Sequence, residues 1–101
     1  MTSGGGAILV TVRLWVSPGQ DDAFQRFEAQ AFAAIARYGA EILAVTRPPA
    51  GDPGAPTEIH EIRFPSCAVF AAYREDDGMK ALAPLRASAI ERTEVEIAEA
   101  P

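Results

Sequence analysis

The sequence has few of the residues from which many functional sites are built. It holds one cysteine and one histidine in 101 residues, which excludes an internal disulfide and a zinc site built on cysteine ligands. Lysine occurs once, and the net charge of −5 makes the chain a poor electrostatic partner for nucleic acid or an anionic membrane. No apolar run reaches the roughly 18–20 residues that span a bilayer. We therefore expect a cytoplasmic protein that binds neither nucleic acid nor membrane.

The chain does contain enough apolar residues for one hydrophobic core. The apolar fraction is 49%, and a length of 101 residues suits one domain rather than two. Residues 1–6 are rich in serine and glycine, which predicts a flexible N-terminal tail. We expect a single domain over residues 7–100.

Alternating apolar residues predict four strands. The strand patterns cover residues 8–16, 41–46, 58–64 and 93–98. In the last of these strands we expect Val95 and Ile97 to point inward. The stretch 47–57 contains four prolines, which remove backbone donors, so it predicts a long hairpin loop.

Two regions have helical patterns. An apolar stripe with spacings of three and four predicts a helix over residues 18–38, with Ser17 as its N-cap and Gly39 in its C-terminal cap. A second helical region begins at Cys67, where Ser66 can cap it, and is interrupted around Asp76. The resulting order of elements is βαββαβ.

This order predicts a ferredoxin-like α+β fold. Its four-stranded antiparallel sheet carries both helices on one face, with strand one between strands three and four. The opposite face stays uncovered, and Trp15 adds a large apolar surface to it. We therefore expect a symmetric homodimer that stacks the two open faces.

The chain resembles the dimeric α/β-barrel superfamily in this order of elements and in two short motifs. The motifs are Ile-Arg-Phe-Pro-Ser at residues 62–66 and Met-Lys-Ala-Leu-Ala-Pro-Leu-Arg at residues 79–86. Within the superfamily it is similar to a family of short bacterial proteins of unknown function. The superfamily also contains antibiotic-biosynthesis monooxygenases, which work without a cofactor, and muconolactone isomerases. The resemblance implies a dimeric α/β barrel but no particular reaction, because this fold hosts unrelated chemistries.

His60 is the candidate for acid–base catalysis, because imidazole is the side chain that titrates near neutral pH. It shares a strand face with Ile62 and Phe64, so we expect it to point towards the helices. It is either a general base or a partly buried histidine bonded to a neighbouring side chain. The structural interpretation is favoured, because no partner motif accompanies His60. One histidine without a second ligand at a suitable spacing predicts no metal site.

A second candidate site lies on the open face of the sheet. There Arg13, Trp15 and Arg63 would bind a substrate inside the dimer, with an arginine holding its carboxylate. The alternative is cross-strand ion pairing that fixes the register, and we favour it because buried charge is usually paired within the protein. Tyr38 and Tyr73 lie on helical stripes and either line a substrate pocket or belong to the core.

Three functional hypotheses stay open. The leading one is a dimeric barrel protein that binds a small metabolite in a modest apolar cavity, without a cofactor. The second is a cofactor-independent monooxygenase or isomerase acting on a small aromatic or polyketide-like substrate. The third is a ligand-sensing module like the ACT domains, which share the order of elements. A cavity with His60 and a tyrosine on its wall would favour the enzyme, and a solid core would count against it.

Overall fold

The computed structural model of the protein describes residues 6–49 and 52–101. Within these residues the chain forms four strands: β1 (Ile8–Val16), β2 (Glu41–Thr46), β3 (Glu58–Phe64) and β4 (Ile90–Glu99). It also forms four helices: α1 (Asp21–Arg37), α2 (Cys67–Arg74), α3 (Asp77–Lys80) and α4 (Ala83–Ala89). Residues 1–5 of the predicted tail and residues 50–51 of the predicted loop lie outside the described residues.

The four strands make one antiparallel sheet in the order β2-β3-β1-β4. This order confirms the ferredoxin-like α+β fold, with β1 between β3 and β4. Val12, at the middle of β1, lies opposite His60 on one side and opposite Val95 on the other. Residues paired directly across an antiparallel sheet share a face, so these three side chains are on the same side of the sheet.

The helices cover that side and pack with it into two clusters of buried apolar residues. One cluster lies at the β1 end that holds Leu14, and the other at the end that holds Ile8 and Val10. Val12 is half-buried between them and contacts both. The main helical contributors are Phe24, Phe27 and Ala31 to the first cluster, and Ile35 and Phe70 to the second. The two clusters therefore meet at Val12, in the middle of β1.

The C-terminal end of α1 is the one predicted. Gly39 has a φ of 74°, a left-handed conformation that glycine adopts without a Cβ penalty. Its N–H donates to the carbonyl of Ala36, and the N–H of Ala40 donates to the carbonyl of Ile35. These two bonds form a Schellman motif, which satisfies the last carbonyls of the helix and turns the chain into β2.

The N-terminal end of α1 differs from the prediction. The helix begins at Asp21, with Gln20 as an N-cap that makes no side-chain capping bond. Ser17 instead belongs to the preceding turn, where its carbonyl accepts the N–H of Gln20 and its own N–H donates to Ala89. Gly19 has a φ of 75° inside this turn, so the helix cannot start at residue 18.

The second helical region is divided into three helices. Ser66 caps α2 as predicted, because its hydroxyl accepts the N–H of Val69 at 3.1 Å. Asp76 starts a new helix by accepting the N–H of Met79 at 3.0 Å, and Pro84 lies in the first turn of α4, where proline is tolerated. Among the described helices, none combines the length and apolar character needed to cross a membrane.

The edges of the sheet are less covered than expected. β4 is longer than the predicted 93–98, and its Val95 and Ile97 point to the helix side but remain 46% and 51% exposed. The reason is that β4 is an edge strand, whereas the buried apolar residues of the sheet come mainly from β1 and β3. Leu43 and Val45 on the opposite edge strand are exposed to a similar extent.

Candidate active site

A cavity of about 310 Å³ lies between the helices and the sheet. A volume of this size can hold a small metabolite. Its lining is mainly apolar and includes Val12 from β1 and Phe27 and Phe32 from α1. Both His60 and Tyr73 stand on its wall. A cavity with a histidine and a tyrosine on its wall is the arrangement that favours an enzyme over a protein with a fully packed core.

His60 is held in this wall by two carboxyl groups. Its Nε2 lies 2.6 Å from Oε1 of Glu58 and 3.0 Å from Oε2 of Glu28. The ring of Phe32 packs edge-on against the imidazole, with the ring centres 5.1 Å apart. Within the described residues His60 makes hydrogen bonds through Nε2 alone. Its second nitrogen, Nδ1, is therefore available as a proton acceptor.

Each of the three residues is placed by its own element. Glu58 and His60 are two residues apart on β3, so both side chains point towards the helices and both are buried. Glu28 lies one helical turn after Phe24 and one before Phe32, on the side of α1 that faces the sheet. Arg47, just after β2, donates from Nε to Oε2 of Glu58 at 2.8 Å. The second oxygen of Glu58 is thus satisfied as well.

The two carboxyl groups differ in charge. Burial, the hydrogen bond to Glu58 and the negative charge of Glu58 together raise the pKa of Glu28 from 4.5 to about 8, and the positive charge of Arg47 opposes this rise. Burial also raises the pKa of Glu58, but hydrogen bonds from Glu28 and His60, together with the charges of His60 and Arg47, lower that pKa below its usual value. At neutral pH Glu28 carries a proton and Glu58 is a carboxylate.

This arrangement supplies the parts of an acid–base catalyst. A carboxylate beside one imidazole nitrogen fixes the tautomer, so Nε2 carries the proton and Nδ1 has the free lone pair. Glu28 also lines the cavity, and it donates its proton in a hydrogen bond to Glu58. The sequence pattern pointed to His60 but to neither glutamate.

The same three residues also have the spacing of metal ligands. One ligand atom from each of Glu28, Glu58 and His60 lies within 4.8 Å of the others. The internal hydrogen bonds and the ion pair with Arg47 already explain why these atoms are close together. Spacing along the sequence did not predict this set, because its members come from α1 and β3.

The two tyrosines are in different settings. Tyr73 lines the cavity and packs against Phe64 and Phe70. Tyr38 is not among the described residues of the cavity wall, and its hydroxyl donates to Oδ1 of Asp76 at 2.8 Å. The structure thus brings Tyr73, but not Tyr38, to the same cavity as His60.

The arginines predicted to bind substrate lie on the opposite face of the sheet from His60. Arg13 donates from Nη1 to Glu96 of β4 at 2.7 Å, a cross-strand ion pair of the kind favoured by the sequence. In the described residues no carboxylate of β3 lies within ion-pair distance of Arg13. Arg63 is exposed on the same face. Their binding of substrate stays a prediction.

Trp15 is less exposed than the sequence indicated. The guanidinium carbon of Arg92 lies 4.4 Å from the centre of its ring, and its Nε1 donates to the carbonyl of Gly54 at 3.3 Å. These contacts from β4 and from the hairpin loop leave Trp15 half-buried at one end of the open face. Its contact with a substrate also stays a prediction.

The sequence comparison finds a family of unknown function. Residues 15–100 match the sequence profile of a family described as "Domain of unknown function (DUF1330)". No curated protein sequence matches the chain.

Solved structures with low sequence identity share the fold. A protein of unknown function from Rhodopseudomonas palustris aligns with a TM-score of 0.80 and 13% identity, covering 96% of this chain and 84% of that chain. A dimeric protein of unknown function with a ferredoxin-like fold from Bacteroides fragilis aligns at 0.72 and 12%, covering 94% and 97%. SnoaB, a cofactor-independent oxygenase from Streptomyces nogalater, aligns at 0.71 and 16%, covering 95% and 94%. At these identities the similarity shows the fold alone.

Proposed function

The chain belongs to the DUF1330 family of domains of unknown function, and from the geometry of its cavity we propose that it is an acid–base enzyme. Its substrate is a small, mainly apolar metabolite with a weakly acidic C–H bond. The observation that carries this proposal is the position of His60: on the cavity wall, with Nε2 bound to a buried carboxylate and Nδ1 without a partner in the described residues.

His60 is the general base in this proposal. Nδ1 takes a proton from the carbon next to a substrate carbonyl, and the ring becomes a cation. Glu58 holds the proton on Nε2 and stabilises that cation, since its negative charge lies 2.6 Å from the ring nitrogen. Arg47 keeps Glu58 ionised, because its guanidinium is bound to the other carboxylate oxygen.

Glu28 is the matching general acid. With a pKa raised to about 8 it holds a proton at neutral pH and can give it to the carbonyl oxygen while His60 removes the carbon-bound proton. The substrate then becomes an enol, because it has lost one proton to His60 and gained one from Glu28. Return of the proton to a different carbon isomerises the substrate and restores both residues.

An oxygenase is the second candidate, and the description of SnoaB as a cofactor-independent oxygenase favours it. The first step would be the same deprotonation. The carbanion would then give its electrons to dioxygen, which is the co-reactant, and form a hydroperoxide after protonation. Loss of water from the hydroperoxide would leave a new carbonyl group.

A homodimer completes the proposal. No helix of the described chain packs on the sheet face opposite the core, and the hairpin loop reaches this face at Trp15. Stacking two such faces would bury on the order of 1,500 Å² or more, the usual size for a stable pair. The protein from Bacteroides fragilis is described as dimeric, which supports this assembly. The bacterial origin implied by the resemblance and the cytoplasmic location expected from the sequence stay predictions.

The proposal is tested by proton exchange on a simple ketone. The protein is incubated with 1-indanone in D₂O, and NMR follows the replacement of hydrogen by deuterium beside the carbonyl. We expect His60→Gln to reduce the enzymatic exchange rate by about 100-fold or more, with little change in melting temperature. Arg26→Gln, an exposed arginine of α1, is the control and should exchange like the wild type.

The outcomes separate the alternatives. Equal exchange by wild type, His60→Gln and buffer would contradict an acid–base enzyme. Consumption of dioxygen during the reaction would assign the oxygenase instead of the isomerase. Loss of exchange in EDTA, with recovery after Zn²⁺ or Mn²⁺ is added, would mean that Glu28, Glu58 and His60 bind a metal ion rather than act as free acid and base.

A further inference from the structure

The wall of the cavity carries positive charge. Three cationic side chains line it: Arg74 at the end of α2, Lys80 at the end of α3 and Arg86 in α4. Glu28 is the acidic residue among the described lining residues, so the cations outnumber the carboxyl groups. The chain as a whole has a net charge of −5, so the sign of this wall is opposite to that of the protein.

Two of these cations form no ion pair within the described residues. Lys80 is paired with Glu75 at 2.7 Å. Arg86 donates instead to the neutral hydroxyl of Thr93 at 3.0 Å, and Arg74 lies over the ring of Phe70, 5.5 Å from its centre. In residues 6–49 and 52–101, no carboxylate is within 4.0 Å of either arginine.

A neutral donor stands beside them. Tyr73 lines the same cavity, and in the described part of the chain its hydroxyl makes no hydrogen bond. Burial raises the pKa of Tyr73, the positive charge of Arg86 opposes this rise, and the negative charge of Asp76 adds to it. Arg86 lines the same cavity as Tyr73. The hydroxyl therefore carries its proton and can donate to an acceptor that also contacts the arginine.

We propose that the metabolite bound in this cavity carries a carboxylate, which Arg74 and Arg86 bind while its apolar part extends towards His60. This inference rests on the proposed function and names its substrate class. A guanidinium binds a carboxylate through two parallel hydrogen bonds, which fixes the orientation of the ligand as well as adding affinity. The carboxylate is held by α2 and α4, whereas the acid–base residues come from α1 and β3. The two ends of the substrate are thus bound by different elements.

The test compares two ligands of nearly the same shape. 1-Naphthoate carries a carboxylate, and 1-naphthamide carries a neutral amide at the same position. Their dissociation constants are measured by titration calorimetry at neutral pH for the wild type, Arg74→Gln, Arg86→Gln and the control Arg26→Gln. Arg26 is an exposed arginine on α1 and does not line the cavity.

We expect the wild type and Arg26→Gln to bind 1-naphthoate at least about tenfold more tightly than 1-naphthamide. Arg74→Gln and Arg86→Gln should each remove most of this preference by weakening the binding of 1-naphthoate and leaving that of 1-naphthamide within about twofold. Equal affinity of the wild type for both ligands would overturn the carboxylate inference and leave the acid–base proposal intact. Failure of both ligands to bind would overturn the cavity as a ligand site, and the proposed function with it.

Discussion

The Nε2 atom of His60 lies 2.6 Å from Oε1 of Glu58, and a single residue separates the two along β3. The pleat of the strand is what brings them together, because residues two apart share a face. Both side chains are buried, and Arg47 from outside the strand neutralises the carboxylate. The pair has the geometry of the carboxylate–imidazole unit of acid–base enzymes, and His60 lines the cavity.

The raised pKa of Glu28 predicts a pH dependence of stability. The pKa is about 8 in the folded protein and 4.5 without the surrounding structure, so the folded state holds this proton more tightly. Its stabilisation is complete below about pH 4.5 and is lost as the pH rises towards 8. The free energy of unfolding falls by about 1.4 kcal/mol for each unit by which the pKa of Glu28 in the folded protein exceeds that in the unfolded chain.

Glu28→Gln removes this titration. Chemical denaturation between about pH 5 and pH 8 should show that the wild type loses stability relative to Glu28→Gln as the pH rises. Glu91→Gln, an exposed glutamate of β4, controls for the loss of one negative charge. A constant difference between wild type and Glu28→Gln across this range would show that Glu28 is not protonated in the folded state.

A glutamate in a buried ion pair and one in an exposed ion pair should differ in their effect on stability. Glu58→Gln weakens a buried network with His60 and Arg47, and we expect a loss of about 1–3 kcal/mol in the free energy of unfolding. Glu96→Gln breaks the exposed pair with Arg13 and should cost less than about 1 kcal/mol. Urea denaturation at neutral pH measures both. Similar losses for the two variants would mean that the buried Glu58 network contributes no more to stability than the exposed pair of Arg13 and Glu96.

The Schellman motif predicts a conformational penalty at Gly39. An alanine Cβ there would meet Pro65 at 3.9 Å, an ordinary contact, so the cost comes from the φ of 74° rather than from a clash. We expect Gly39→Ala to destabilise the protein by about 1–2 kcal/mol. Gly54→Ala, in open space and without a positive φ, should change stability by less than about 0.5 kcal/mol. Thermal melts of the two variants give the comparison.

The open face of the sheet predicts where the dimer can be disrupted. Thr11 lies at the middle of this face, between Glu61 on β3 and Glu96 on β4. Thr11→Arg places a large charge in the proposed interface, and these two glutamates can pair with the new side chain in a folded monomer. Light scattering should give twice the chain mass for the wild type and for Ala33→Arg on the exposed side of α1, but one chain mass for Thr11→Arg. A dimeric Thr11→Arg would exclude this face as the interface.

The strand bounds of β2 and β3 were predictable from the sequence because turn residues mark their ends. Gly39 precedes β2, and prolines separate β2 from β3. The predicted start of α1 was wrong because Ser17 and Pro18 are residue types that commonly begin a helix. In the structure a turn at Gly19 comes first, so α1 begins three residues after Pro18. Local residue preferences could not show that the N–H of Ser17 is bonded to Ala89, which is distant in the sequence.

The candidate site was only partly predictable. The position of His60 on the helix-facing side of β3 followed from alternation, and the same alternation places Glu58 on that side, so this signal was present in the sequence. Glu28 lies one turn from Phe24 and Phe32, which also indicated a position near the core. Charged residues in a helix are usually solvated, however, and the distance between α1 and β3 in the sequence hides the contact.

The most direct test of the acid–base site is an NMR measurement on the imidazole of His60. Because the sequence contains one histidine, a long-range ¹H–¹⁵N spectrum of the untagged protein reports this ring alone. We predict that the neutral ring carries its proton on Nε2, bound to Glu58, and that the Nδ1 resonance shifts when 1-indanone is added. A proton on Nδ1, or an Nδ1 resonance that does not move at saturating 1-indanone, would contradict the assignment of His60 as the base in the cavity.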